Sequence, residues 1–191
     1  MSILFVTEFV SLDGVVEAPG GEPTHPQTGW TIPYHGPDNM EYKLAEVHEA
    51  DSLLIGRTTY DGFAAAWPEY EGEFADKMNS MPKYVVSSTL ESAEWNNTTV
   101  LRGDWAAQVA ELKARDGGPI MVTGSASLVK GLFDRGLVDE LRLMVFPVMI
   151  GGGLRCFPDD RGKATFEVAD TQTYANGVVL IAYRTAGRVT R

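Results

Sequence analysis

The chain has 191 residues, 44% of them hydrophobic and 22% charged, with a formal net charge of −10; that is enough for one domain over residues 1–191 with a full core. The acidic balance argues against nucleic acid or an anionic membrane as partner, since both call for a basic surface. One cysteine, Cys156, excludes an internal disulfide, and no apolar run reaches the length of a membrane span, so with an N-terminus that enters a strand without a basic leader the expected address is the cytoplasm.

Residues 3–9 read as a buried strand ended by Ser11-Leu12-Asp13-Gly14. Residues 18–37 are rich in glycine and proline and carry His25, Trp30, Tyr34 and His35; a loop of that length inside a domain is usually functional, so it is expected to be an active-site loop or lid. Asp38-Asn39-Met40-Glu41 reads as a capping box for a helix with Met40, Leu44 and Val47 on one face. A strand over 52–55 and a helix over 58–66 follow, then strands at 84–87 and 98–101. Asp104 caps a helix that buries Trp105, Val109 and Leu112, a strand occupies 120–123, and Ser125 opens a helix that buries Leu128, Val129 and Leu132. A long strand over 141–148 leads to Gly151-Gly152-Gly153, and runs at 165–174 and 178–184 flank Asn176-Gly177, a hairpin signal in which both turn residues are expected at positive φ. The sum is about eight strands and four helices, an α/β fold with a mostly parallel sheet whose last strand is antiparallel.

The chemistry sits at strand ends. Leu53-Leu54-Ile55-Gly56-Arg57-Thr58-Thr59-Tyr60, Tyr84-Val85-Val86-Ser87-Ser88 and Met121-Val122-Thr123-Gly124-Ser125-Ala126-Ser127 each pass from an apolar run to glycine, hydroxyl or cationic groups. Ligands of open α/β sheets bind just outside such carboxyl ends. Arg57 supplies a planar, permanently charged fork for a phosphate, with Thr58 and Thr59 beside it; the same residues also serve as a surface arginine and N-capping threonines. Ser87 and Ser88 suit a second phosphate or a ribose, or ordinary turn chemistry. The four small residues from Gly124 to Ser127 permit close approach of a pyrophosphate. Neither a Gly-x-Gly-x-x-Gly fingerprint nor a Walker A sequence is present, which disfavours the standard dinucleotide and P-loop folds.

Asp13 is placed to orient a substrate amine or relay a proton, or to make a turn before glycine. Asp38 and Glu41 read as catalytic carboxylates or as caps, and Trp30, Tyr34 and Trp67 as walls for a flat heterocycle or as core. His25, His35 and His48 are too scattered for a metal site.

Together these segments, with Val138-Asp139-Glu140-Leu141, Pro147 and the glycine triplet, resemble the dihydrofolate reductase-like fold, most closely the reductase domain of the bifunctional riboflavin-biosynthesis deaminase/reductase. No deaminase zinc signature accompanies it. The resemblance implies NADPH as cofactor, with Gly56, Arg57, Thr58 and Thr59 at its phosphates and Ser87 and Ser88 near the 2′-phosphate. Gly124, Ser125, Ala126, Ser127 and Leu128 would lie along the pyrophosphate and nicotinamide ribose, and Asp13 beside the nicotinamide and substrate. Dihydrofolate reductases usually carry a cis-linked glycine pair where this chain has Gly124-Ser125, and a pterin-binding carboxylate on the first helix that Glu41 or Asp38 matches only loosely. The expectation is an NADPH-dependent reductase of a small pteridine- or pyrimidine-like heterocycle or an imine, with Asp13 or an ordered water as proton source and Trp30, Tyr34 and Glu41 around the substrate. The alternative is a nucleotide- or flavin-binding module without turnover. A homodimer through the long strand and terminal hairpin is expected as well.

Overall fold

A computed structural model describes residues 1–157 and 164–186. Its centre is one eight-stranded sheet in the order β4-β3-β2-β5-β1-β6-β8-β7. In chain order the strands are β1 (Leu4–Ser11), β2 (Ser52–Gly56), β3 (Lys83–Val86), β4 (Thr98–Leu101), β5 (Ile120–Thr123), β6 (Glu140–Phe146), β7 (Phe166–Thr173) and β8 (Val179–Thr185). The helices are α1 (Pro37–Glu49), α2 (Arg57–Ala66), α3 (Glu73–Ser80), α4 (Trp105–Ala114) and α5 (Ala126–Asp134), with single 3₁₀ turns at Ile32–Tyr34 and Trp67–Glu69. Only β8 runs against its neighbours, pairing antiparallel with both β6 and β7, so the expected mostly parallel sheet with a reversed last strand is what the chain forms.

Strand alternation sorts the core into two faces. On one, Leu4, Val6 and Val10 of β1 meet Ile120 and Val122 of β5 and the α4 and α5 residues Val109, Leu112, Leu128, Val129 and Leu132. On the other, Phe5, Leu53, Ile55 and Met121 meet Val47 of α1, Tyr60 of α2 and Met78 of α3. Because β5 returns between β2 and β1, the chain reverses direction of travel across the sheet there, and the carboxyl ends of three strands lie side by side.

Several local expectations are corrected. The first helix starts at Pro37 with Gly36 as N-cap, and its reciprocal contact is the Gly36 amide donating to Asn39 Oδ1 at 2.8 Å, so Asp38 and Glu41 form no box. Asn176 is not at positive φ; only Gly177 is (85°), because the hairpin closes with Tyr174 N–H to Val178 O and Gly177 N–H to Tyr174 O, a three-residue connection that asks for one left-handed residue. The α3 helix was not expected. Asp104 does cap α4, accepting from the Ala107 amide at 3.1 Å. Among the described residues, no helix is long and apolar enough to cross a membrane.

Candidate functional site

The ends of β2 and β5 are built to touch. The strands are parallel neighbours with Leu54 opposite Val122, so Gly56 and Gly124 leave the sheet close together and each leads into a helix. A Cβ on Gly56 would stand 2.6 Å from Ser125 Cβ and nearer still to its Oγ, and one on Gly124 would stand 2.8 Å from Thr59 Oγ1. Only glycine fits at either place. The two hydroxyls that close this contact, Thr59 Oγ1 and Ser125 Oγ, share a 2.8 Å hydrogen bond.

Gly124 and Ser125 are both left-handed, at φ 71° and 64°, a conformation that costs a serine about 1 kcal/mol or more and tends to collect at functional sites. The Gly124–Ser125 peptide is trans. Helices α2 and α5 begin at these strand ends with no side-chain cap, leaving first-turn amides without intrahelical acceptors. Their positive dipole ends therefore face the same edge of the sheet, an arrangement suited to an anion.

Around this edge the sequence candidates take different postures. Arg57 is half-exposed and its Nε donates to both carboxylate oxygens of Asp61 at 2.8 Å, one helical turn on. The pair is solvent-screened and weak, so the guanidinium can exchange Asp61 for a phosphate. Thr58, Ser88 and Ser127 are exposed, Ala126 is half-buried, and Leu128 belongs to the core. Ser87 is buried, and its Oγ accepts the amides of Thr89 (3.2 Å) and Leu90 (3.0 Å), the turn chemistry that competed with the ligand reading.

Asp13 is clamped. Its carboxylate accepts from Ser11 Oγ at 2.7 Å and from the amides of Ile150 at 3.0 Å and Gly151 at 2.7 Å, while Arg155 donates to its carbonyl. The Ser11 hydroxyl first, and then those two amides, hold the carboxyl well below its usual 3.8. A group ionised at neutral pH has no proton to give, so the geometry makes Asp13 a tie between the loop after β1 and the loop after β6. Since the folded value is depressed, the tie's contribution is present above about pH 4 and lost only in stronger acid. Asp13→Asn should speed amide hydrogen exchange at Ile150 and Gly151 selectively; unchanged exchange there would show the carboxylate is not what holds them.

The loop over 18–37 is pinned by its aromatic residues. Trp30 is buried, packs edge-on against Phe146 at the end of β6, and donates from Nε1 to Glu17 O at 2.8 Å. Tyr34 lies against the same ring. Both are packing residues as placed, with Tyr34 partly open. Trp67 stacks on Phe74 at 5.1 Å and packs against the core cluster of Tyr60, Met78 and Trp95. Glu41 is exposed and lines a groove between α1 and α3 with Glu71 and Glu73.

Two features escaped the sequence reading. Glu8 takes the place on β1 that alternation with Leu4, Val6 and Val10 reserves for an apolar residue, and its Oε1 accepts the Gly124 amide at 3.1 Å. Burial pushes its carboxyl up to about 8, opposed by the Lys43 charge and the Gly124 amide. A carboxylate inside an otherwise apolar strand was the available signal. On the opposite face, Glu46 of α1 is 2% exposed and accepts from Thr7 Oγ1 and Lys43 Nζ, with Arg142 of β6 3.7 Å away. An arginine within the run Leu141-Arg142-Leu143 was the signal there.

Residues 2–180 match the family model of the RibD C-terminal domain. The chain is similar to the uncharacterized protein YyaP of Bacillus subtilis, 31% identical over 183 residues that span 93% of this chain and 92% of that protein. Among solved structures it is similar to a putative riboflavin biosynthesis protein from Shewanella sp. PV-4, with TM-score 0.75, 20% identity and coverage of 97% of this chain and 99% of that one. It also matches dihydrofolate reductase from Enterococcus faecalis complexed with NADP(H), with TM-score 0.59, 15% identity and 97% of each chain covered.

Proposed function

This chain belongs to the RibD C-terminal domain family, the reductase domain of the riboflavin-biosynthesis deaminase/reductase, and from that membership we propose that it is an NADPH-dependent reductase of a small pyrimidine- or pteridine-like heterocycle or imine. The observation that carries the reading is the interlocked pair Gly56–Ser125 and Gly124–Thr59, close packing that only glycine allows and that brings two helix N-termini to one edge of the sheet. Two uncapped helix N-termini side by side suit a diphosphate, and the structural neighbour complexed with NADP(H) shares the fold.

In this reading Arg57 leaves Asp61 for a phosphate, and Thr58 and Thr59 offer hydroxyl donors beside it. Ser88 lies exposed at the end of β3, where a 2′-phosphate would distinguish the cofactor from its unphosphorylated form, and Ser87 shapes the turn that presents it. The loop after β1, tied by Asp13, walls the end of the crevice where substrate would meet the nicotinamide. Bound NADPH supplies the hydride, and the protein supplies orientation and water exclusion. The acceptor atom also gains a proton, which comes from an ordered water, because Asp13 is held ionised.

Titration with NADPH and NADH tests this. Tighter binding of the phosphorylated form is expected, with NADPH oxidation on some member of a pyrimidine, pteridine and imine panel. Arg57→Ala should weaken NADPH by about 10–100-fold, the worth of hydrogen bonds to a charged group, whereas Asp61→Asn should strengthen it by releasing the guanidinium. Flavin binding without nicotinamide binding would overturn the proposal in favour of a flavin-binding module.

A further inference from the structure

We infer that Glu8 is a positioning residue for the diphosphate seat: it holds the Gly124–Ser125 turn from beneath and couples polyphosphate binding to a proton. This rests on the NADPH reading above. The geometry is specific. Glu8 points from β1 into the face shared with β5, β6 and α5, and its Oε1 reaches the Gly124 N–H at 3.1 Å. That amide belongs to the first of two consecutive left-handed residues, and the turn they form is wedged by Thr59 and Gly56 on its other side. Fixing the Gly124 amide fixes which way the following peptides face, and those lead into the first turn of α5, where a diphosphate would sit.

The surroundings decide the protonation state. On this face β5 presents Ile120 and Val122, β6 presents Leu141 and Leu143, and α5 presents Leu128, Val129 and Leu132, all apolar. Lys43, on α1 across the sheet and bonded there to Thr7 and Glu46, acts on Glu8 only through its charge, which offsets the burial in part. A carboxyl so enclosed keeps its proton through neutral pH. Neutral, it accepts from the Gly124 amide without setting a negative charge beneath a bound phosphate. Ionised, it grips that amide more tightly and repels the ligand through a low-dielectric wall. A bound diphosphate in turn raises the cost of ionising Glu8, so binding near pH 8 should draw a proton from solution.

Glu8 stands raised from 4.5 to about 8, so its neutral form favours the folded state, and the stability it contributes is lost as pH rises from about 5 through 8. The experiment compares wild type, Glu8→Gln and Glu8→Leu by calorimetric titration with NADPH at pH 7 to 9, in buffers of different ionisation heat, with melting temperatures at pH 5 and 8.5. Wild type should lose about tenfold in affinity across that range, with proton uptake at pH 8, as expected for one group titrating there. Glu8→Gln keeps an acceptor for the amide without an ionisable proton. It should bind with wild-type pH 7 affinity at every pH, take up no proton, and melt higher than wild type at pH 8.5 but not at pH 5. Glu8→Leu should bind weakly throughout, with the glutamine variant as the rescue.

An unaltered pH slope or unaltered proton uptake in Glu8→Gln, with NADPH still binding, overturns the role of Glu8 and leaves the cofactor reading standing. Failure of wild type to bind NADPH at any pH overturns both.

Discussion

Gly56→Ala is expected to leave a folded protein that has lost NADPH binding by about a hundredfold, the scale on which an ångström of misplacement acts at a preorganised site. The backbone is not the reason. Gly56 has φ −87°, which alanine adopts freely, and in an open setting the substitution would stabilise by restricting the unfolded chain. What forbids it is the new methyl lying 2.6 Å from Ser125 Cβ, inside any van der Waals distance. Ser125 must retreat, which breaks its bond to Thr59 and turns the first amides of α5 away from the seat. Overpacking of this kind costs about 1–3 kcal/mol. A partner substitution separates the steric argument from a general intolerance. Ser125→Gly removes both atoms the methyl would strike and relieves the left-handed serine, so the double variant should recover most of the lost stability in a denaturant melt. Equal destabilisation of the single and double variants would show that the clash is not the cause.

How much of this was legible in the sequence depended on whether the governing contact was local. The glycines and hydroxyls at the ends of β2, β3 and β5 stood out because each follows an apolar run, and strand order then placed two of them together. Local signals also found Asp104 as a cap and the hairpin near Gly177. Asp13 was ambiguous because two of its three donors, the amides of Ile150 and Gly151, lie 137 and 138 residues away, and whether a carboxylate is a clamp or an acid depends on what donates to it. Ser87 resolved to turn chemistry for the same reason in reverse, its partners being two and three residues on.

Helix α3 escaped because eight residues carry only Phe74, Ala75 and Met78 as apolar contacts and its N-cap is Gly72 at φ 104°, which offers no side-chain signal. Lys43, Glu46 and Arg142 were not singled out, because charged residues are by default solvent-facing. Their burial becomes tolerable only when α1 packs across β1 and β6, a contact no window of sequence contains. The aromatic loop was read as a lid by length alone, and Phe146, which anchors Trp30 and Tyr34, lies on a strand more than a hundred residues later.

That buried charge network carries the second large effect. Arg142 donates to Glu49 through both terminal nitrogens, at 2.7 and 3.1 Å, and to Glu140 at 2.9 Å. Its guanidinium also lies 3.9 Å from the centre of the Phe5 ring. Nearby, Glu46 Oε1 is buried with no hydrogen-bond partner among the described residues, and the Arg142 charge at 3.7 Å is what it faces. Arg142→Met fills much of the same volume but strips Glu49 and Glu140 of their closest cation and leaves Glu46 with Lys43 alone. Breaking one side of a buried ionic cluster costs about 3–5 kcal/mol, more than the intact cluster gains over a hydrophobic replacement of all its members. The expected result is therefore a steep loss of stability in urea. Arg142→Lys, which restores a charge but not the planar fork or its stacking on Phe5, should lose about half as much. Were the methionine variant to melt within about 1 kcal/mol of wild type, the scale of a surface pair, the cluster would be energetically exposed, and α1 would be held to the sheet by Val47 with its apolar neighbours and by the Thr7–Glu46 and Lys43–Thr7 bonds.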